Sequence, residues 1–141
     1  MHEQPPTLGQ INLVVASIAD SIKFYRLLGL TIDDSHPMSN QHITVRLPNG
    51  FMLDFDSTDF AKRWDIGWCG IQGTGRNVIG FNFASREAVD GMYGKLTGAG
   101  YRSQQPPFDA FWGARYAVVE DHDGNPVGLM SPMETRSEGA Q

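Results

Sequence analysis

The chain has 141 residues, of which 40% are hydrophobic and 19% charged, and a formal net charge of −5. This is the size and make-up of one globular domain, able to bury roughly 70% of the surface its unfolded form exposes. The acidic balance argues against nucleic acid as a partner. The single cysteine, Cys69, excludes an internal disulfide, and no apolar run reads as a signal peptide or membrane span. A cytoplasmic location is the default expectation.

Residues 1–8 contain Pro5-Pro6 and read as a flexible arm. Gln10 to Val15 alternates as a strand, with Ile11, Leu13 and Val15 on one face. Ser17, with Asp20 three residues later, marks a helix start. Ile18, Ile22, Tyr25 and Leu28 follow at helical spacing, and Gly29 stops the helix. Leu30 to Ile32 is expected to be a short strand, and residues 35–41 a loop. His42 to Leu47 and Phe51 to Phe55 form a hairpin around Asn49-Gly50. Met52 and Asp54 share one face of its second strand, and Asp56 is placed just past the strand end.

Residues 57–76 read as a long irregular stretch holding Trp64, Trp68 and four glycines, the kind of segment that serves as a functional loop or a link. Asn77 to Phe83 is a strand. Ser85 caps a second helix with Ala88, Met92 and Leu96 in line. Tyr101 to Ser103 is expected as a short strand, and Gln104 to Gly113 as a loop. Arg115 to Glu120 and Val127 to Met130 flank the turn Asp121-His122-Asp123-Gly124-Asn125. Residues 133–141 read as a flexible tail.

The order is β-α-β-β-β taken twice. Ala16-Ser17 before the first helix matches Ala84-Ser85 before the second, and Gly50 matches Gly124. Such self-similarity bounds where a site can lie. The expected fold is α+β: paired βαβββ modules, about 9–57 and 77–132, in one domain of residues 9–132. Two four-stranded sheets would form a curled mixed sheet with a cleft, the helices lying on its outer face.

The repeat, the run Leu13-Val14-Val15 through Asp20-Ser21, Phe24-Tyr25 and Leu28-Gly29-Leu30, and the Asp-His-Asp-Gly-Asn turn resemble the vicinal oxygen chelate superfamily. This is the group of glyoxalase I, extradiol dioxygenases and bleomycin-resistance proteins. Ala110-Phe111-Trp112-Gly113 fits it too. The resemblance runs from about Leu8 to Pro132, and departs from the family at His122, where Pro is usual. It implies four metal-ligand positions, which fall on Gln10, Asp54, Val78 and Gly128. Val78 and Gly128 bring no donor atom, so no metal and no other cofactor is expected. Among the histidines, His42 is the one candidate to replace a ligand, and it reads as a strand-end residue.

The expected ligand-binding residues are Gln10, Asn12, Met52, Asp54, Asp56, Trp64, Trp68, Asn82, Phe111, Trp112 and Met130. Asp54, Asp56 and Asp59 form a short acidic patch suited to a cation, and the aromatic rings suit stacking. Bleomycin-resistance members are acidic, metal-free homodimers that sequester a cationic drug, and the chain is similar in acidity, missing ligands and loop tryptophans. The expectation is therefore a small-molecule binding protein of antibiotic-resistance type, a homodimer that takes an aromatic or cationic compound. The alternative is a metal-dependent lyase, isomerase or dioxygenase of the same superfamily, and the residues leave open whether any reaction is catalysed.

Overall fold

Asn49-Gly50 and Gly124 turn the chain where the sequence places the two hairpins. Both glycines have positive φ, 86° and 85°, a backbone region that side-chain-bearing residues rarely enter. The computed structural model of the chain describes residues 5, 8–66 and 77–134. The chain forms two compact units, residues 1–71 and 72–141, and each is described by itself. The fold is mixed α+β, as expected, and among the described residues no helix is long and apolar enough to cross a membrane.

In the first unit β1 (Gln10–Val15) precedes α1 (Ile18–Leu28), then come β2 (His42–Arg46), β3 (Met52–Ser57) and α2 (Thr58–Trp64). The sheet order is β1-β3-β2, with β1 parallel and β2 antiparallel to β3. Ser17 accepts a hydrogen bond from the Asp20 N–H and starts α1, and Gly29 closes it at φ 118°. The apolar stripe of α1 includes Ile18, Ile22, Phe24, Tyr25 and Leu28, all buried. The Tyr25 ring lies 4.9 Å from that of Phe24 and 5.0 Å from that of Phe55. Leu53 and Phe55 of β3 therefore face the core, and alternation turns Met52, Asp54 and Asp56 to the other face.

Three expectations for this unit are corrected. Leu30 to Ile32 makes no strand, so the sheet has three strands. Ile32 is buried and its carbonyl accepts from the Arg26 guanidinium at 2.6 Å, which a neighbouring strand would otherwise do. Asp56 lies inside β3, not beyond it. The stretch after β3 is not irregular at its start: Ser57 accepts from the Phe60 N–H at 3.1 Å and begins α2. Ser57→Ala is expected to cost about 1 kcal/mol through loss of this cap, read as a lower urea midpoint. An unchanged midpoint would mean that α2 is held by its packing instead.

In the second unit β4 (Ile79–Asn82), α3 (Arg86–Gly98), β5 (Ser103–Asp109), β6 (Arg115–Glu120) and β7 (Pro126–Met130) follow in order. The sheet order is β4-β7-β6-β5. The α3 helix packs on β5, β6 and β7, with Val89 and Leu96 fully buried and Ala88 and Met92 half-buried. Ala117, Val119, Val127 and Leu129 are also fully buried. The expected loop from Gln104 is largely strand: β5 runs through Pro106-Pro107. Proline is tolerated because β5 is an edge strand, and its ladder to β6 shifts register on both sides of Gln105.

The repeat holds at the level of strand pairing. Asn12 pairs with Asp54 and Asp54 with Thr44. Correspondingly, Gly80 pairs with Gly128 and Gly128 with Val118. The same row of the ladder is polar in one unit and stripped of polar side chains in the other.

Candidate functional site

On the first sheet, the face turned away from α1 carries three rows: Gln10, Met52 and Arg46; Asn12, Asp54 and Thr44; Val14, Asp56 and His42. The side chains form a connected chain of hydrogen bonds. The Gln10 amide donates to Asn12 Oδ1 at 2.8 Å. Asn12 Nδ2 donates to Asp56 Oδ2 at 2.9 Å and to Asp54 Oδ2 at 3.4 Å. The other Asp56 oxygen, Oδ1, bonds His42 Nδ1. His42 Nε2 lies 3.2 Å from Thr44 Oγ1, and its ring stacks on Phe60 with centroids 4.9 Å apart. The Arg63 guanidinium sits 5.4 Å from the same Phe60 ring.

The carboxylates are not a solvated patch. Asp56 is fully buried and Asp54 is 5% exposed, while Asp59 alone is exposed. Asp54 Oδ1 is buried with no hydrogen-bond partner. Such an atom is costly unless something pairs it. A depression of about 390 Å³ opens beside His42 and Thr44 and is also lined by Asp33, His36, Met38 and Phe60. The hydroxyl and backbone N–H of Ser35 hold the Asp33 carboxyl below its ordinary range, and the Arg26 guanidinium adds to this.

On the second sheet, Trp112 Nε1 donates to Met130 Sδ at 3.4 Å. The Tyr116 ring is 5.2 Å from that of Trp112 and 6.4 Å from that of Phe108, and Phe111 lies 5.1 Å from Trp112. Phe111 is 87% exposed. Asn82 is exposed beside Met130 in the ladder. Behind the cluster, Arg115 bonds Asp90 at 2.9 Å and Asp109 at 3.2 Å. The Asp90 hydrogen bond, followed by that to Asp109, raises the Arg115 pKa.

The expected site residues thus gather into two groups. Gln10, Asn12, Asp54 and Asp56 form the network of the first unit, with Met52 beside Gln10. Phe111, Trp112 and Met130 join in the second unit, with Asn82 alongside. Trp64 ends α2 and is 50% exposed. Trp68 and Cys69 lie outside the described residues. The sequence singles out His42 only as a candidate to replace a metal ligand, sets it aside as a strand-end residue, and gives Thr44 no role. Counting outward from Asn49-Gly50 pairs Thr44 with Asp54 and His42 with Asp56, and that count was the available signal.

The four positions implied for a metal do not supply a ligand set. Gln10 is exposed and tied to Asn12. Val78 is apolar. At Gly128 a Cβ would stand 2.8 Å from Tyr116 Oη and 3.3 Å from Val78 Cγ1, so the tyrosine takes the room a ligand side chain would need. Among the described residues no three His, Cys, Asp or Glu side chains come together in a way that could hold a metal ion.

The fold and the pairing repeat agree with the family comparison. Residues 7–129 match the Glyoxalase/Bleomycin resistance protein/Dioxygenase superfamily, and the chain belongs to that superfamily. Among solved structures, it is similar to a glyoxalase-related enzyme from Fulvimarina pelagi, with TM-score 0.77 and 20% identity over 89% of this chain and 88% of that one. It is also similar to a glyoxalase/bleomycin resistance protein/dioxygenase family enzyme from Burkholderia phytofirmans PsJN, with TM-score 0.76 and 16% identity over 89% and 98% of the two chains. A lactoylglutathione lyase from Agrobacterium tumefaciens aligns with TM-score 0.66 and 17% identity over 92% and 96%. No curated protein matches the chain in sequence. At these identities the likeness is one of fold.

Proposed function

We propose that the protein binds a small cationic or aromatic compound without a metal ion, and that it does so as a homodimer. The observation that carries this reading is Asp54, a carboxylate 5% exposed whose Oδ1 has no partner. A buried carboxylate left without a counter-charge favours any ligand that brings one. The partly exposed cluster of Phe108, Phe111, Trp112 and Tyr116 supports the aromatic part of the reading, because such rings hold flat and cationic groups by stacking. The donor-poor positions Val78 and Gly128 weigh against a metal-dependent lyase, isomerase or dioxygenase.

A thermal-shift screen of cationic aromatic antibiotics, followed by calorimetry of the hits, tests it. Asp54→Asn is expected to weaken binding about tenfold or more while stabilising the unliganded protein, because it removes an uncompensated buried charge. Trp64→Ala and Trp68→Ala, and Phe111→Ala with Trp112→Ala, report which rings grip the ligand. Unchanged affinity in Asp54→Asn would sink the cationic reading. A near-stoichiometric divalent ion in protein purified without chelator would replace it with the metal-dependent alternative.

A further inference from the structure

The hydrogen bonds around His42 have an order that ligand binding does not call for. Asp56 is fully buried and holds His42 Nδ1 through one oxygen, while Asn12 fixes the other at 2.9 Å. A carboxylate only accepts, so Nδ1 carries a proton, and in the neutral ring Nε2 is then the acceptor. Thr44 Oγ1 stands 3.2 Å from that nitrogen, and Thr44 is exposed. A hydroxyl, a base within reach of it and a buried acid orienting the base make the arrangement of an activated nucleophile.

The surroundings suit such a group. The His42 side chain is 34% exposed, and it opens with Thr44 onto the depression of about 390 Å³. Met38, Ile43 and Phe60 give this depression apolar walls. His36 lines it as well, and His36 Nδ1 accepts from the Met38 N–H at 3.0 Å. With Nδ1 accepting, the ring proton is on Nε2, a donor on the wall of the same depression.

We propose that Thr44, His42 and Asp56 form an acyl-transfer site for small neutral esters. The Thr44 hydroxyl proton passes to His42 Nε2 as Oγ1 bonds the ester carbonyl carbon. The carbon–oxygen bond to the alcohol then breaks, and the departing alcohol takes the proton from Nε2. Water repeats the attack on the acyl-Thr44 ester with His42 again as base, which releases the carboxylic acid and restores the hydroxyl. Asp56 is a positioning residue here. The proposal does not rest on the cation-binding reading, because a neutral ester needs no counter-charge from Asp54.

The full chain is incubated with 4-nitrophenyl acetate, and nitrophenol release is followed alongside peptide mass spectrometry. The expected result is a burst of nitrophenol with acetylation of Thr44. His42→Ala lowers kcat/KM about 100-fold or more, and Thr44→Ala removes both burst and adduct. Asp56→Asn lowers kcat with KM little changed. Because Asp56 is buried and its replacement is liable to unfold the chain, Thr44→Ser serves as the second variant and keeps the adduct at position 44. Nitrophenol release by Thr44→Ala at the wild-type rate, or wild-type protein without an acetyl group on Thr44, overturns the proposal.

Discussion

Gly128→Glu is expected to destabilise the protein by roughly 3–5 kcal/mol, the cost of an uncompensated buried charge, with overpacking included. Gly128 is buried, and its missing Cβ is what lets Tyr116 Oη and Cε1 lie over the strand, at 2.8 and 3.2 Å from where a Cβ would be. Tyr116 cannot swing aside freely, because its ring is packed against Trp112 and Phe108. Gly128→Ala tests the steric part alone, at about 1–3 kcal/mol. Tyr116→Ala combined with Gly128→Glu is expected to be less destabilised than the sum of the two single variants, by about 1 kcal/mol or more, because the clash is gone in the double variant. Urea unfolding of all four proteins measures this. Additive effects would show that Tyr116 does not occupy the position, and that its glycine is no obstacle to a ligand side chain.

Asp121→Ala is expected to cost about 2–4 kcal/mol, since hydrogen bonds to a charged acceptor contribute about 1.5–3 kcal/mol each and part of the loss is recovered by water. The buried Asp121 carboxylate accepts from the Asp123 N–H, the Asn125 N–H and the Asn125 amide, each at 2.9 Å. The backbone closes the same turn, with Gly124 N–H donating to Asp121 at 3.0 Å. Asp121→Asn keeps an acceptor and is expected to lose less. Since this turn sets the register that places Val118 by Gly128 and Tyr116 by Met130, Asp121→Ala is also expected to reduce protection of the β6 and β7 amides in hydrogen exchange. Full protection there, with a small stability loss, would mean that the hairpin is set by its strands and not by its turn.

Much of the fold was legible because its signals are local. Glycine at a positive-φ turn, serine at a helix start and alternation along a strand act within a few residues, and the two hairpins follow from them. The missing strand after α1 was not legible, because a single long side chain, Arg26, reaches Ile32 and takes the carbonyl a ladder would use. The edge strand β5 was read as a loop because Pro106-Pro107 argues against a strand unless the strand's neighbours are known. The candidate site was half legible. Alternation placed Gln10, Asn12 and Asp54 on one face. Ending the strand at Phe55, two residues short of Ser57, however, left Asp56 outside the ladder and so hid its contact with His42, a pairing that only the cross-strand register makes visible.

The two prolines of β5 have a consequence for how the molecule behaves in crowded solution. Successive residues of a strand turn their N–H groups to opposite sides, so two adjacent prolines leave one donor missing at the outer edge, and the register shifts around Gln105 break the regular spacing an incoming strand would have to match. A sheet whose outermost strand is defective as a template does not grow by adding chains there. Replacing Pro106 and Pro107 with β-branched residues would make that edge an inviting one. The prolines that obscured the strand in the sequence also make it a poor edge for another chain to pair with.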